Sequence, residues 1–209
     1  MRILFVGDVV GKPGRQAVAA LVPAIRRERS VDLVIVNGEN AAGGAGLTGE
    51  IAREIHEAGA DVITNGNHVW DQRTFLKEID TLLAELGQRA PRVRILDWHA
   101  EATSEKLAMG WHLDGRFSAV LGSHTHVPTA DARILPQGTA LVADAGMVGP
   151  RDSVLGIEPS IIVSRFLDHL PRRFEVATGV VQFNSIVVDI DDETGRARSI
   201  ERLDREWLP

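Results

Sequence analysis

The sequence predicts an α/β fold in which two mixed β-sheets pack together with helices on their outer faces. In the first half, short β-branched runs alternate with helical stretches, which is typical of βαβ units and a mostly parallel sheet. The last third is rich in strands and ends in an antiparallel hairpin pattern. The chain of 209 residues is 44% hydrophobic and 25% charged. That size and composition predict one globular domain over residues 1–209.

The elements of the first half follow from hydrophobic periodicity and from start and stop signals. Pro13 suits the first turn of a helix, Pro23 should kink or interrupt that helix, and Thr48 can cap the next one. Apolar side chains at spacings of 3, 4 and 7 predict a further amphipathic helix. The predicted strands are Arg2–Val6, Val31–Val36, Asp61–Thr64, Val93–Leu96 and Ser118–Leu121. The predicted helices are Pro13–Ser30, the segment from Thr48 to Gly59, Asp71–Gly87 and a segment around Ser104–His112.

The last third is predicted from the same signals. Its elements are a strand at Thr139–Ala143, a helix at Pro159–Leu170, a strand-rich stretch at Phe174–Ile190 and, after a turn at Asp191–Gly195, a strand at Arg196–Leu203.

Charge and composition exclude several classes of function. The formal net charge of −6 disfavours a protein that binds the phosphate backbone of nucleic acids through charge. No run approaches the 18 or so apolar residues needed to span a bilayer, and no signal peptide precedes the first strand. We therefore expect a cytoplasmic protein that does not associate with a membrane. The chain has no cysteine and no tyrosine, so proton and metal chemistry falls to seven histidines and the carboxylates.

Residues suited to metal binding or proton transfer follow each of the first five predicted strands. In open α/β sheets such positions meet in one crevice. On an extended chain, His124 and His126 would point to the same face about 7 Å apart and could each bind one of two ions. His68 would point away from Asn67 and remain free as a general acid. The five segments are Gly7-Asp8, Gly38-Glu39-Asn40, Gly66-Asn67-His68, Asp97-Trp98-His99 and Gly122-Ser123-His124-Thr125-His126.

The donor set of oxygen and imidazole nitrogen suits manganese, iron, zinc or nickel. Because imidazoles bind metal only when neutral, we expect the metal affinity to fall as the pH drops through about 6.5.

A P-loop is rejected because GDVVGKP has three residues between its glycines instead of four, and Pro13 stands in place of the Mg²⁺-binding Ser or Thr. A metal-free dinucleotide binder would require all five ligand-bearing strand ends to be coincidental.

The five strand-end segments, taken in chain order, resemble the motifs of calcineurin-like metallophosphoesterases. The resemblance is closer still to the bacterial YmdB-like branch, and it covers nearly the whole chain. Val10 stands where most members of the superfamily have a ligand histidine, and Glu39 stands where most have a bridging aspartate. Both departures fit the branch. The stretches that carry the resemblance are GDVVGKPGR, NGENAAGG, GNHVWD, HAEATSEK, SHTHVPTADARILP and GMVGPRDSVLG.

The resemblance implies a four-layer α/β/β/α fold and a site for two transition-metal ions, usually iron or manganese. One ion would be held by Asp8, Glu39, Asn40 and His126, and the other by Glu39, Asn67, His99 and His124. Hydroxide between the ions would attack phosphorus, and His68 would protonate the leaving oxygen. The implied enzyme is a metal-dependent phosphodiesterase that hydrolyses cyclic nucleotides, above all 2′,3′-cyclic nucleotides. We also expect a homo-oligomer.

Two further expectations concern function and size. The alternative function is a regulatory nucleotide-binding protein with only weak phosphoesterase activity, acting on RNA-processing partners. Between His68 and His99 the chain has only 30 residues, several tens fewer than the branch usually carries. We therefore expect a domain shortened between about residues 80 and 90, with a more open pocket.

Overall fold

The computed structural model describes residues 1–66, 80, 81, 83–85, 87 and 90–209. The described helices are α1 (Gly11–Glu28), α2 (Gly49–Glu57), α3 (Thr103–His112) and α4 (Pro159–Asp168). The described strands are β1 (Arg2–Val6), β2 (Asp8–Val9), β3 (Leu33–Asn37), β4 (Val62–Thr64), β5 (Ile95–His99), β6 (Ala119–Ser123), β7 (Arg133–Ile134), β8 (Ala140–Val142), β9 (Met147–Pro150), β10 (Val181–Phe183), β11 (Ser185–Ile190), β12 (Ala197–Arg202) and β13 (Arg205–Trp207).

The described strands form three hydrogen-bonded sheets, whereas the sequence predicts two. The first has the order β12-β11-β1-β3-β4, the second β5-β6-β8-β7 and the third β13-β10-β9-β2. The third sheet separates from the first at Gly7, between β1 and β2. A Cβ atom on Gly7 would lie 2.1 Å from the carbonyl oxygen of Gly146. This close approach lets the chain leave the first sheet, and β2 then pairs in parallel with β9.

The described residues form three stacked hydrophobic cores. On β1, Leu4 and Val6 face the core beneath α1, whereas Ile3 and Phe5 face the core between the first and second sheets. This alternation is the period of two that a strand with two buried faces requires. The third core packs α3 against the outer face of the second sheet. Its fully or nearly fully buried members are Trp98, Met109, Leu113, Val120, Leu135 and Leu141.

Several predicted elements are confirmed. Strand β1 has the predicted bounds, Thr48 caps α2 through a hydrogen bond from the amide of Ile51, and β11 and β12 form an antiparallel pair. The prediction that Pro23 interrupts the first helix is wrong, because α1 runs through it. Buried Val22 and Ile25 anchor the helix on both sides of the proline.

Two boundaries matter for the site. Strands β5 and β6 run farther than predicted, so Asp97, His99 and Ser123 lie on strands and not after them. Most of the predicted helix Asp71–Gly87 lies outside the described residues, and the described positions 80, 81 and 83–85 are helical.

Among the helices of the described ranges, none is long and apolar enough to cross a membrane.

Candidate metal centre

A cleft of about 320 Å³ opens where β3, β5 and β6 end. Five of the predicted ligands line it, and Asp8 lies directly beneath. The predicted ligands on the wall of the cleft are Glu39, Asn40, His99, His124 and His126, and Glu101, Thr125 and Leu155 complete the lining. The structure thus brings together six of the eight predicted site residues.

Asp8 is fully buried on β2. Its Oδ2 atom accepts a hydrogen bond of 3.0 Å from the backbone amide of His124, whereas its Oδ1 atom is buried without a hydrogen-bond partner. Burial raises the pKa of Asp8 to about 8. An unpaired buried carboxylate oxygen is costly unless a cation neutralises it, so this atom is suited to bind a metal ion.

His99 and His124 face each other across the cleft with their rings edge to face and their centroids 4.7 Å apart. The Nε2 atom of His99 lies 2.9 Å from the Nδ1 atom of His124. Each remaining ring nitrogen has a partner, since His99 Nδ1 lies 3.0 Å from Ser123 Oγ and His124 Nε2 lies 2.7 Å from a carboxylate oxygen of Glu101. If these outer nitrogens carry the protons, two lone pairs face each other, an arrangement that a shared cation stabilises.

A polar network that joins the ends of β3, β4, β5 and β6 fixes His99. Ser123 Oγ donates a hydrogen bond of 2.7 Å to Asp97 and can therefore accept one from the Nδ1–H group of His99. Thr64 and Asn37 also donate hydrogen bonds to Asp97. Burial nevertheless raises the pKa of Asp97. Burial, followed by the neighbouring His124, lowers the pKa of His99 to about 4, so the His99 ring is neutral near pH 7.

His126 and Asn40 lie next to each other in the cleft, close to Asp8. The Nδ2 group of Asn40 lies 3.1 Å from His126 Nε2, which in turn lies 4.0 Å from the unpaired Oδ1 atom of Asp8. The other ring nitrogen of His126 lies 3.1 Å from the carbonyl oxygen of Leu155. Burial lowers the pKa of His126. A neutral ring with its Nε2 atom turned toward Asp8 is the form that binds metal.

Glu39 follows β3 and is 6% exposed. Its Oε2 atom accepts a hydrogen bond of 2.6 Å from the amide of Gly66, and its own amide donates to Asn37 Oδ1 at 3.0 Å. Gly66 packs so closely against His99 that a Cβ atom there would lie 2.0 Å from the imidazole ring. The backbone of Gly66 therefore lies between Glu39 and His99 and contacts both.

The expected extended geometry of the segment from His124 to His126 is wrong. His124 has a φ angle of +106° and His126 one of +64°, so the chain turns after β6. We call residues 123–126 the ligand turn. Positive φ is strained for a residue with a side chain and occurs mainly where surrounding contacts impose it. The turn directs His124 toward His99 and His126 toward Asp8, which an extended strand would not do.

Asn67 and His68 lie outside the described residues, so their predicted roles are not tested. They directly follow Gly66 in the sequence, next to His99. In the parts of the chain that the structure describes, no group of three His, Asp or Glu side chains has the spacing to hold a metal ion as it stands. The predicted ligands that the structure describes thus surround the cleft without converging on one point.

The residues present nevertheless fit transition-metal binding. The unpaired Asp8 oxygen and the facing nitrogens of His99 and His124 supply hard and borderline ligands. In each of these two histidines and in His126, one ring nitrogen has a hydrogen-bond partner on the protein, the arrangement that orients metal-binding imidazoles in proteins. The partners are Ser123, Glu101 and the carbonyl of Leu155.

Sequence reasoning did not assign roles to several residues at the site. Asp97 and Ser123 stand in the quoted strand-end segments, and an acidic residue two positions after His99 could have indicated Glu101. Lys106 belongs to the HAEATSEK stretch. Asp144 was not indicated, because it lies just before the GMVGPRDSVLG stretch and in none of the quoted segments.

Known proteins resemble the chain over nearly its full length. It is 43% identical over 255 residues to the 2′,3′-cyclic-nucleotide 2′-phosphodiesterase of Bacillus subtilis (strain 168), in a match that covers 97% of this chain and 96% of that protein. The crystal structure of a hypothetical protein from Thermus thermophilus matches with a TM-score of 0.89 and 36% identity over 100% of both chains. That of a novel phosphatase from Mycoplasma pneumoniae matches with a TM-score of 0.90 and 28% identity, covering 99% of this chain and 93% of the other.

A family model described as YmdB-like protein matches residues 4–82 and 75–203. Together the two matches include every predicted ligand. The chain therefore belongs to the YmdB-like protein family.

Proposed function

We propose that this chain is a metal-dependent phosphodiesterase that hydrolyses cyclic nucleotides, with 2′,3′-cyclic nucleotides as the first substrate class to test. The observation that carries the proposal is the pair of facing nitrogens of His99 and His124 beside the unpaired buried oxygen of Asp8. The name of the Bacillus subtilis relative supports the substrate class.

The residues fit a site for two ions, for which we propose iron or manganese. Asp8, Asn40 and His126 would hold one ion, His99, His124 and Asn67 the other, and Glu39 both. When bound, such ions lower the pKa of water and neutralise negative charge on phosphoryl oxygens.

The protein residues contribute orientation and a proton. Ser123 beside His99 and Leu155 beside His126 favour the tautomer with the proton on Nδ1. The Nε2 atoms of both rings would then be available to bind metal with little reorganisation. We propose that His68 donates the proton that the leaving alkoxide oxygen needs, the role that the family resemblance implies.

For the fold we propose the four-layer α/β/β/α arrangement of calcineurin-like enzymes. The three stacked cores support it, because they run from α1 through two sheets to α3. We also propose that the domain is shortened between about residues 80 and 90. The alignment with the Bacillus subtilis relative spans 255 residues, more than this chain contains, and the two family-model matches meet at residues 75–82.

The first experiment measures hydrolysis of 2′,3′-cyclic AMP, 3′,5′-cyclic AMP and bis(4-nitrophenyl) phosphate by metal-free protein with Mn²⁺, with Fe²⁺ and with a chelator. We expect metal-dependent turnover of at least one cyclic nucleotide. Elemental analysis should give two ions per chain. Absence of turnover with every metal, or one ion or none after reconstitution with Mn²⁺, would contradict the proposal.

The regulatory alternative makes a different prediction for the same enzyme. If His68→Ala abolishes hydrolysis but preserves every cellular effect of the protein, binding and not turnover is its function. Cytoplasmic location and homo-oligomer formation are further proposals, which cell fractionation and light scattering test directly.

A further inference from the structure

A buried ion pair lies beneath the candidate metal centre without belonging to its ligands. Lys106 on α3 is 2% exposed, and Asp144, which follows β8, is 1% exposed. Their Nζ and Oδ2 atoms are 2.7 Å apart. Removing two charges from water is expensive, and an apolar pair of similar volume is often as stable. Overall stability alone therefore does not explain why charged residues occupy this position.

Both partners hold the backbone of the ligand turn. Lys106 Nζ donates a hydrogen bond of 2.6 Å to the carbonyl oxygen of Ser123. Asp144 Oδ2 accepts hydrogen bonds from the amide of Thr125 at 2.9 Å and from its hydroxyl at 2.8 Å. The two residues so fixed are the neighbours of His124 on either side. The ion pair thus holds both peptide groups next to a ligand histidine.

The turn requires such support because His124 has a φ of +106°. The amide of His124 donates to Asp8 Oδ2, so three consecutive residues of the turn are held by buried side chains. Asp144 is itself fixed, because its Oδ1 atom accepts from the amide of Gly146 at 2.8 Å. Burial opposes ionisation of Asp144, but Lys106 and the backbone donors outweigh it and keep its pKa below the ordinary value.

We propose that Lys106 and Asp144 are positioning residues that hold the ligand turn in its strained conformation, so that His124 and His126 face the metal ions before these bind. The inference rests on the proposed function, since it assumes that the two histidines are ligands. Neither Lys106 nor Asp144 touches substrate or metal in this role. In this role they act through their hydrogen bonds to residues 123 and 125.

The test compares Mn²⁺ affinity with the stability of the metal-free protein. Lys106→Met keeps most of the length of the side chain and removes the charge, but it leaves Asp144 buried and without its cationic partner. The double variant with Lys106→Met and Asp144→Asn leaves no unpaired buried charge, so it should fold even if the single variant does not. The control is Arg26→Met, which breaks the Arg26–Asp61 pair outside the cleft.

We expect the double variant to bind Mn²⁺ about 10- to 100-fold more weakly than the wild type, the usual effect of removing an outer partner of a metal site. Its urea midpoint without metal should stay close to that of the wild type. Arg26→Met should lower the urea midpoint and leave Mn²⁺ affinity unchanged. At saturating Mn²⁺, kcat of the double variant should fall more than KM changes, because misplaced ligands affect the reacting centre.

The outcomes separate this inference from the proposed function. If the double variant binds Mn²⁺ within twofold of the wild type, the positioning role is wrong while the metal centre stands. If wild-type protein binds no Mn²⁺ or Fe²⁺, the proposed function fails. If the double variant loses affinity only in proportion to a loss of metal-free stability, as a merely structural pair would, the positioning role is again wrong.

Discussion

The Oδ2 atom of Asp8 accepts a hydrogen bond from the backbone amide of His124, 116 residues away in the sequence. This hydrogen bond joins Asp8 on β2, in the third sheet, to the ligand turn that follows β6, in the second sheet. The same carboxylate leaves its Oδ1 atom buried and unpaired. We therefore expect its protonation to affect the stability of the metal-free protein and the metal binding that we propose.

The metal-free protein should lose stability as the pH rises from 6.5 to 8. The pKa of Asp8 is about 8 in the folded protein, against an ordinary value of 3.8, so the folded state binds the extra proton and deprotonation destabilises it. His99, with a folded pKa of about 4, acts in the opposite direction but only below about pH 6.5. The loss should be about 2 kcal/mol over this window. Urea unfolding in a chelator measures it.

Asp8→Asn is the matched control for that pH dependence, because the amide cannot ionise. We expect the variant to have nearly constant metal-free stability between pH 6.5 and 8 and to bind Mn²⁺ much more weakly. The same slope in Asp8→Asn as in the wild type would assign the pH dependence to another group.

Metal affinity should depend on pH mainly through Asp8. The structure revises the expectation of a midpoint near 6.5, because burial lowers the pKa values of His99 and His126 and raises that of Asp8 to about 8. Protons then compete with metal for the carboxylate below pH 8, with up to about a tenfold loss of affinity per pH unit. Competition titrations with Mn²⁺ between pH 5 and 8.5 test this. Affinity independent of pH would contradict Asp8 as a ligand.

Gly66→Ala should displace His99. The added Cβ atom would lie 2.0 Å from the imidazole, so the ring or the backbone must move, and Mn²⁺ affinity should fall at least tenfold, within the usual range for disturbed ligand orientation. Gly49→Ala is the control, because its nearest contact would be the end of the Arg53 side chain at 4.0 Å and because alanine favours the helix. Equal Mn²⁺ affinity of the two variants would show that His99 is not held by this contact.

His68→Ala should lower kcat on a cyclic nucleotide by about 10² to 10⁴, the usual range for a general acid. Metal content should be retained. With bis(4-nitrophenyl) phosphate the loss should be much smaller, because nitrophenolate leaves without a proton. An equal loss on both substrates would assign His68 a different role.

The proposed shortening predicts an enzyme that depends on metal and discriminates poorly. Ions that bind only the folded state stabilise it by RT ln(1 + [L]/Kd), so a chelator should lower the melting temperature markedly. A pocket with fewer walls positions the non-reacting part of the substrate less well. Values of kcat/KM for 2′,3′-cyclic and 3′,5′-cyclic AMP should therefore be similar. Sharp selectivity would count against an open pocket.

The sequence predicted what depends on local pattern. The bounds of β1, the cap at Thr48 and the terminal hairpin follow from periodicity and turn chemistry, and the structure confirms them. The segments that bear the predicted ligands were also visible, because polar residues at or near the ends of buried strands stand out. Asp8, Glu39 and His99 are examples.

What the sequence did not predict depends on contacts between distant segments. Strand β2 has two residues and exists because β9 pairs with it. The positive φ of His124 occurs where the side chains of Asp8, Lys106 and Asp144 form hydrogen bonds with the backbone of residues 123–125, and no periodicity encodes such a turn. The partnership of Lys106 with Asp144 spans 38 residues and has no local signature.

The pairing of β1 with β11 determines when this protein can finish folding. Arg2 lies opposite Asp189, and the amino group of Met1 donates to the carbonyl oxygen of Ile190. A strand made among the first on the ribosome therefore waits for one made near the end, with an open hydrogen-bonding edge in the meantime. Such long-range pairing slows folding. Asp8 lies on β2, two positions after β1, and we expect it to join the other proposed ligands only after that closure, so metal binding during refolding should report one of the last steps.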